Sequence, residues 1–462
     1  MERWLYNSYL FTTHIQSMNS IKYFFSIIFF FFSTVLFAEK KSLTLEEAVQ
    51  LGLQNSKSLH SSKMKLIVAE SKRDETNASR LPSVKFTGAY TRLSEVPSAS
   101  FPNPLAALNP SLPKSFEISP SVFDNYLTKL SVTQPLYLGN KISSATEIAE
   151  YSSQATNEDF NKDKKELVFA IQQSYWNLFK AMEFKNLIDE NVVQVQAHLT
   201  DVQNFLKQGM ATTNDVLKVQ VQLSNIQLLQ VDAKNNVQLA MIALNNVMGI
   251  SLDTELELST NIKHEPKTFS DVNSLVEKAM QNRPELRAMD FRVKASESAV
   301  TLAKSNWYPQ VFLMGNYNYA RPNQRIFPTK DEFKNTWDVG IGVSFDVWNW
   351  GQTSQQTAQA KAQLEQANDG VGLLKDGITL EVTQNYLNVQ QSKERISVAE
   401  QGVQQAEENY RVTNEKFKQG LALNSDLLDA EVALLQAKTN LTQAQIDYEI
   451  SEARLEKAIG EK

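Results

Sequence analysis

The chain has 462 residues, no cysteine, 46 basic against 52 acidic side chains and a formal net charge of −6. Without cysteine there is no disulfide, thiolate metal site, cysteine nucleophile or lipidated N-terminal cysteine, and the mild, evenly spread acidity argues against nucleic acid as a partner. His14, His60, His198 and His264 share no ligand spacing and read as isolated surface or helix-seam residues; with no nucleophile–base pair or phosphate loop visible either, no enzyme, metal or cofactor is expected.

In chain order, residues 1–38 read as a presequence and signal peptide. Lys22 precedes an apolar run of 15 residues from Tyr23 to Phe37, and Ala38 follows. That run is short of the ~20 residues needed to cross a bilayer as a helix. Met18 is a candidate start for this segment.

The remainder is written twice, as a first repeat over 39–265 and a second over 266–462. Gln54-Asn55 and Leu59 return 227 positions later as Gln281-Asn282 and Leu286, and Pro82 returns as Pro309. Gly139 is matched with Gly351, and Lys207-Gln208-Gly209 returns 211 positions later as Lys418-Gln419-Gly420. The change of offset places one longer loop, 93–122 with six prolines, in the first copy. A period above 200 indicates a duplicated domain rather than a solenoid, whose repeats run ~20–50 residues.

Each repeat carries two segments of period two: about 84–92 and 124–136 in the first, about 310–319 and 336–348 in the second. Val84, Phe86, Gly88 and Tyr90 alternate with Lys85, Thr87, Ala89 and Thr91, and Trp337, Val339, Ile341, Val343, Phe345 and Val347 alternate with Asp338, Gly340, Gly342, Ser344 and Asp346. Lengths of ~9–11 residues and aromatic ends suit tilted membrane β-strands.

A long helical hairpin follows each strand pair, over 143–249 and 353–460. All 13 prolines lie within 82–135 and 266–328, so both hairpin regions are free of a residue that costs ~3 kcal/mol inside a helix. From Ser143 to Lys207 the rise is roughly 100 Å. Gly209 and Gly420 are left-handed stops, and Asn214 and Ser425 are candidate caps of the returning helices. Ile396, Ala399, Val403, Ala406, Tyr410, Thr413 and Phe417 form a thin heptad seam, suited to helices lying edge to edge in a wall.

Four strands cannot close a barrel, for which about eight are the practical minimum. Open edges in lipid cost several kcal/mol per unpaired group, so the chain must assemble in the membrane, and three copies would supply twelve strands. A trimeric adhesin also builds a barrel this way, but its strands are consecutive and C-terminal, whereas this chain ends in helix.

The paired turns KQGMATTNDVL at 207–217 and KQGLALNSDLLDAEVALLQA at 418–437, with Asn282-Arg283-Pro284-Glu285-Leu286, resemble the TolC-like outer membrane efflux proteins over 43–460. The resemblance implies a mainly α fold with membrane β: a homotrimer whose twelve-stranded outer membrane β-barrel, four strands per chain, continues into a long α-helical coiled-coil barrel in the periplasm. It implies a passive exit duct for efflux or secretion, working with a periplasmic adaptor protein and an inner-membrane pump or ABC transporter, and contact with outer membrane lipid. Asp426 and Asp429 share a helix face beside the turn and would line the periplasmic gate and set ion selectivity. Gly209, Asp215, Gly420 and Leu427 would form the hairpin tips and meet the adaptor. Lys218 stands where the first copy would match Asp429, so the two tips differ in charge. Some relatives latch the tip with a Tyr and an Arg where this chain has Phe417 and Ala422; packing by Phe417 is the expected substitute.

Overall fold

In the computed structural model, residues 41–96, 99–259 and 267–461 are described; the signal peptide expected over 1–38 lies outside them. Strand β1 (Lys41–Leu43) pairs in parallel with β6 (Leu256–Leu258) and brings the ends of the first repeat together. Between them run α1 (Leu45–Asn55), α2 (Lys57–Ala78), β2 (Ser83–Arg92), β3 (Ala99–Pro102), β4 (Ser115–Ser119), β5 (Asp124–Tyr137), α3 (Lys141–Lys207) and α4 (Thr213–Met248). The second half runs α5 (Val272–Asn282), α6 (Pro284–Lys304), β7 (Gln310–Arg321), β8 (Lys334–Ser344), α7 (Gln352–Lys418) and α8 (Asn424–Ala458).

The membrane sheet has the antiparallel order β2-β5-β7-β8, so the two hairpins of the two repeats join through β5 and β7. The registers put Val84, Phe86, Val132, Leu130, Tyr317, Trp337, Val339 and Ile341 on one face, and Lys85, Thr87, Lys129, Ser131, Asn316, Asn318, Thr336 and Asp338 on the other. Apolar outward and polar inward is the pattern of a lipid-facing barrel wall. The fourth strand ends at Ser344 rather than 348. Ser344 pairs with Gln310, and the next residue on β7's side is Pro309, which has no N–H to extend the ladder.

Helices α3 and α7 are each 67 residues long, about 100 Å at 1.5 Å per residue. Each starts after two consecutive left-handed residues, Gly139 and Asn140 (φ 59° and 70°) in one repeat and Trp350 and Gly351 (φ 54° and 77°) in the other. Asn140 is therefore the structural match of Gly351, one residue away from the glycine-to-glycine match. Only at Gly139 is a side chain sterically excluded as well: a Cβ there would lie 2.6 Å from Tyr308 and 2.7 Å from the Ser305 carbonyl.

The helices lie side by side. Near the barrel the order is α2-α3-α6-α7; toward the tips it is α4-α3-α8-α7. Three small cores hold this wall. One gathers Leu43, Ala48, Ile171, Tyr175, Leu178 and Met248, and a second Leu275, Ala279, Ile378, Val382, Tyr448 and Leu455. The third, at the tips, spans both hairpins with Val195, Val202, Val219, Phe417 and Leu427.

An ionised cluster braces the second core. Lys267 Nζ lies 2.5 Å from Glu452 Oε1 and 2.8 Å from Glu456 Oε1, and its backbone N–H donates to the Tyr448 hydroxyl at 3.0 Å. Burial, with the charge of Glu452 second, pushes the nearby Glu449 carboxyl up to about 7. The folded chain thus keeps a proton that the unfolded chain, with a pKa near 4.5, has released. Stability from this group is full below about 4.5 and falls as pH rises toward about 7. Thermal unfolding of Glu449→Gln is expected to lose this part of the pH slope and to exceed the parent in stability at pH 8. Parallel pH profiles for the two proteins would contradict the assignment.

Candidate gate at the hairpin tips

The tips are built by the turn chemistry that the two KQG motifs predict. Gly209 (φ 75°) and Gly420 (φ 73°) end the long helices in the left-handed region. Met210 N–H donates to Phe205 O at 2.8 Å and Leu421 N–H to Lys416 O at 2.8 Å, closing the last helical turn in the same way at both tips. No atom lies within 4 Å of a Cβ built at either glycine, so backbone conformation alone selects glycine there.

The returning helices are capped two residues earlier than Asn214 and Ser425. Thr212 caps α4, its hydroxyl accepting from Asp215 N–H at 3.2 Å while Asp215 Oδ2 accepts from Thr212 N–H at 2.9 Å. Leu423 takes the same place on α8, and because leucine has no oxygen only half the box forms: Asp426 Oδ2 accepts from Leu423 N–H at 3.1 Å. A helix-start aspartate three residues into the helix therefore selects position 212 or 423 as the cap, and both Asn214 and Ser425 fall inside the helix.

Asp426 and Asp429 are both exposed on one face of α8, while Leu427, Ala430, Glu431 and Leu434 form its buried face. Only one carboxylate oxygen of Asp426 is engaged by the cap. Asp215 differs: hydrogen bonds from the Thr212 hydroxyl and backbone hold its carboxyl below the usual range. The acidic pair belongs to the second tip alone.

Leu427 is 2% exposed and sits in the seam between hairpins, so in this conformation it offers no surface to a partner. Exposed apolar residues at the tips include Met210, Leu217, Leu421 and Leu423. Phe417 is also buried, against Phe205 at 5.5 Å between centroids and edge-on to His198 at 5.3 Å. The two tips touch directly where Asn424 Nδ2 donates to Asp215 O at 3.2 Å.

His198, expected as an isolated surface or seam residue, lies in the seam but is paired. His198 Nδ1 lies 3.2 Å from Glu431 Oε2, linking α3 to α8, and the side chains are 3% and 2% exposed. His198 keeps the seven-residue register of Asn191, and Glu431 occupies the seam position between Leu427 and Leu434. A carboxylate at an apolar heptad position needs a buried partner, and that mismatch was the available signal. Among the described residues of one chain, no cluster of three or more His, Asp or Glu side chains could hold a metal ion.

The sequence profile described as "Outer membrane efflux protein" matches residues 48–250 and 275–461, one segment in each half. The chain is 22% identical over 313 residues to "Outer membrane protein TolC" of Vibrio cholerae, covering 68% of this chain and 72% of that one. It is 22% identical over 337 residues to "Alkaline protease secretion protein AprF" of Pseudomonas aeruginosa, covering 72% and 69%. Among solved structures, the Campylobacter jejuni CmeC outer membrane channel superposes with a TM-score of 0.75 at 16% identity, covering 90% of this chain and 85% of that one. The Vibrio cholerae outer membrane protein VceC gives 0.73 at 18%, covering 90% and 96%. With a lipid-facing sheet of four strands, two 67-residue helices below it and the family profile on both halves, the chain belongs to the outer membrane efflux protein family, an outer membrane channel with a long helical extension into the periplasm.

Proposed function

We propose that three copies of this chain close head to tail into a passive duct that spans the outer membrane and periplasm, with Asp426 and Asp429 lining its periplasmic constriction. The two repeats, 39–265 and 266–462, act as the alternating staves of this duct. The observation that carries the proposal is that every layer ends on the same two sides. The sheet ends on β2 and β8, the upper helix layer on α2 and α7, and the lower layer on α4 and α7. These outer helices bear unpartnered apolar stripes, Leu217, Val221, Leu228 and Val231 on α4 and Leu373, Leu380 and Leu387 on α7, each more than half exposed. One side of the chain is thus first-repeat and the other second-repeat, which is the arrangement of a rotating, closed ring.

The duct works with a periplasmic adaptor at its tips and an inner-membrane pump or ABC transporter beyond it. AprF is named for protease secretion and the Brucella suis relative BepC as an efflux protein; for this chain, choice of cargo rests with the pump. Met210, Leu421 and Leu423, with Gly209, Asp215 and Gly420 shaping the turns, are the adaptor surface. A photoreactive residue at Leu421 or Met210 is expected to capture a membrane-anchored periplasmic adaptor in cells. A trimer seated in the outer membrane that captures no such adaptor would contradict this.

The 93–122 loop lies at the extracellular end. It folds on itself, β3 pairing with β4 around a single 3-10 turn at Pro104–Ala107. A peptide epitope inserted beside Asn109 is expected to be labelled on intact cells. Labelling only after the outer membrane is broken would invert the topology.

A further inference from the structure

The loop over 322–333, between β7 and β8, does not stand out from the barrel rim. Its first half lies against the polar face of the sheet. Asn318 and Ala320 of that face are each 7% exposed, and Asn323, at 4%, donates from Nδ2 to Thr336 Oγ1 at 3.2 Å and to Lys334 O at 3.0 Å. Arg325 reaches further down the same face and pairs with Asp338, which also accepts from Asn316 Nδ2 at 2.7 Å. The second half crosses to the apolar face. There Phe333 stacks on Tyr319 at 5.1 Å between centroids and contacts Tyr126 at 5.7 Å, while Arg321 binds Asp331 at 2.7 Å. The loop is therefore folded over the rim and held on both sides.

The polar face beneath it is cationic. The registers set Lys85, Ser131, Asn316 and Asp338 in one row, and Thr87, Lys129, Asn318 and Thr336 in the next. Arg325 and Asn316 occupy Asp338, the acid in these rows, which leaves Lys85 and Lys129 as net positive charge. Ammonium groups left without a carboxylate of their own on a lumen-facing wall attract anions.

We propose that this loop folds into the lumen and forms a second constriction at the outer mouth, and that the wall below it favours carboxylate or phosphate groups, opposite in sign to the acidic periplasmic tips. This rests on the channel reading above. The absence of native cysteine lets single thiols carry spin labels without background. In the purified trimer, labels at Gln324→Cys are expected to lie closer to one another between subunits than labels at Trp337→Cys on the lipid face. Distances at Gln324 equal to or longer than those at Trp337 overturn the inward fold. In planar bilayers under a potassium chloride gradient, Lys85→Gln with Lys129→Gln is expected to move the reversal potential toward the potassium equilibrium value. An unmoved reversal potential overturns the cationic wall. The label distances do not depend on conduction, so a trimer that passes no current counts against the channel reading alone.

Discussion

Neutralising Asp426 and Asp429 together, by Asp426→Asn and Asp429→Asn, is expected to weaken block of the channel by periplasmic divalent or trivalent cations at least tenfold, about 1.4 kcal/mol, and to reduce cation selectivity. In the proposed trimer these residues would place six carboxylates around one axis. Unit charges 4 Å apart interact by about 1 kcal/mol in bulk water and about 4 kcal/mol at the effective dielectric of a protein surface, so a ring of six repels itself and gains from a bridging cation. Folding is expected to survive, because both side chains are exposed and an asparagine oxygen can still accept the Leu423 N–H. Asp215→Asn is expected to do far less to the block, since its carboxylate is bound by Thr212 and Lys218 replaces the second acid. Single-channel recording in planar bilayers separates the cases. Equal effects from the two tips, or unchanged block in the double variant, would place the acidic ring away from the constriction.

Leu380→Asp combined with Leu387→Asp is expected to abolish the trimer while leaving the single chain folded. Both leucines are 59% exposed in the isolated chain and lie seven residues apart on α7, an outer helix of both helix layers. Burying a leucine is worth about 1.5–3 kcal/mol, and an unpaired carboxylate in the joint costs several kcal/mol more, a loss repeated at all three joints. The measurement is the mass of the particle in detergent beside its far-ultraviolet circular dichroism. A trimer of undiminished stability would show that the α7 stripe faces something other than a neighbouring copy.

The architecture was legible because its signals are long and repeated. Proline-free stretches marked the two helical hairpins, alternation marked the four strands, and glycines at matched places marked the turns. Errors arose where a single residue decides a boundary. Pro309 ends the β7–β8 ladder and so ends β8 at Ser344, an effect of the partner strand that alternation within 336–348 cannot show. Either of two consecutive left-handed residues can be glycine, so Gly139 and Gly351 matched in sequence but occupy successive places in structure. Asp215 and Asp426 choose the caps, which moves them to Thr212 and Leu423.

The site was only partly legible. Its acidic pair is visible in the three-residue spacing of Asp426 and Asp429. The burial of Leu427 depends on which face of each hairpin meets the other, and that follows from α3 packing on α8 rather than from either hairpin alone. The His198–Glu431 pair joins residues 233 positions apart, and the lumenal fold of the 322–333 loop rests on side-chain bonds across the sheet. Neither leaves a local pattern beyond a carboxylate at a seam position.

The claim on which the rest depends is that three chains form one closed duct. The native mass of the particle purified from outer membranes, measured together with its conductance in a planar bilayer, tests it most directly. The expected result is a mass of three chains and a pore of low conductance that is selective for cations. A stable monomer whose strand amides are protected from hydrogen exchange would contradict it, because the edges β2 and β8 would then need no neighbour.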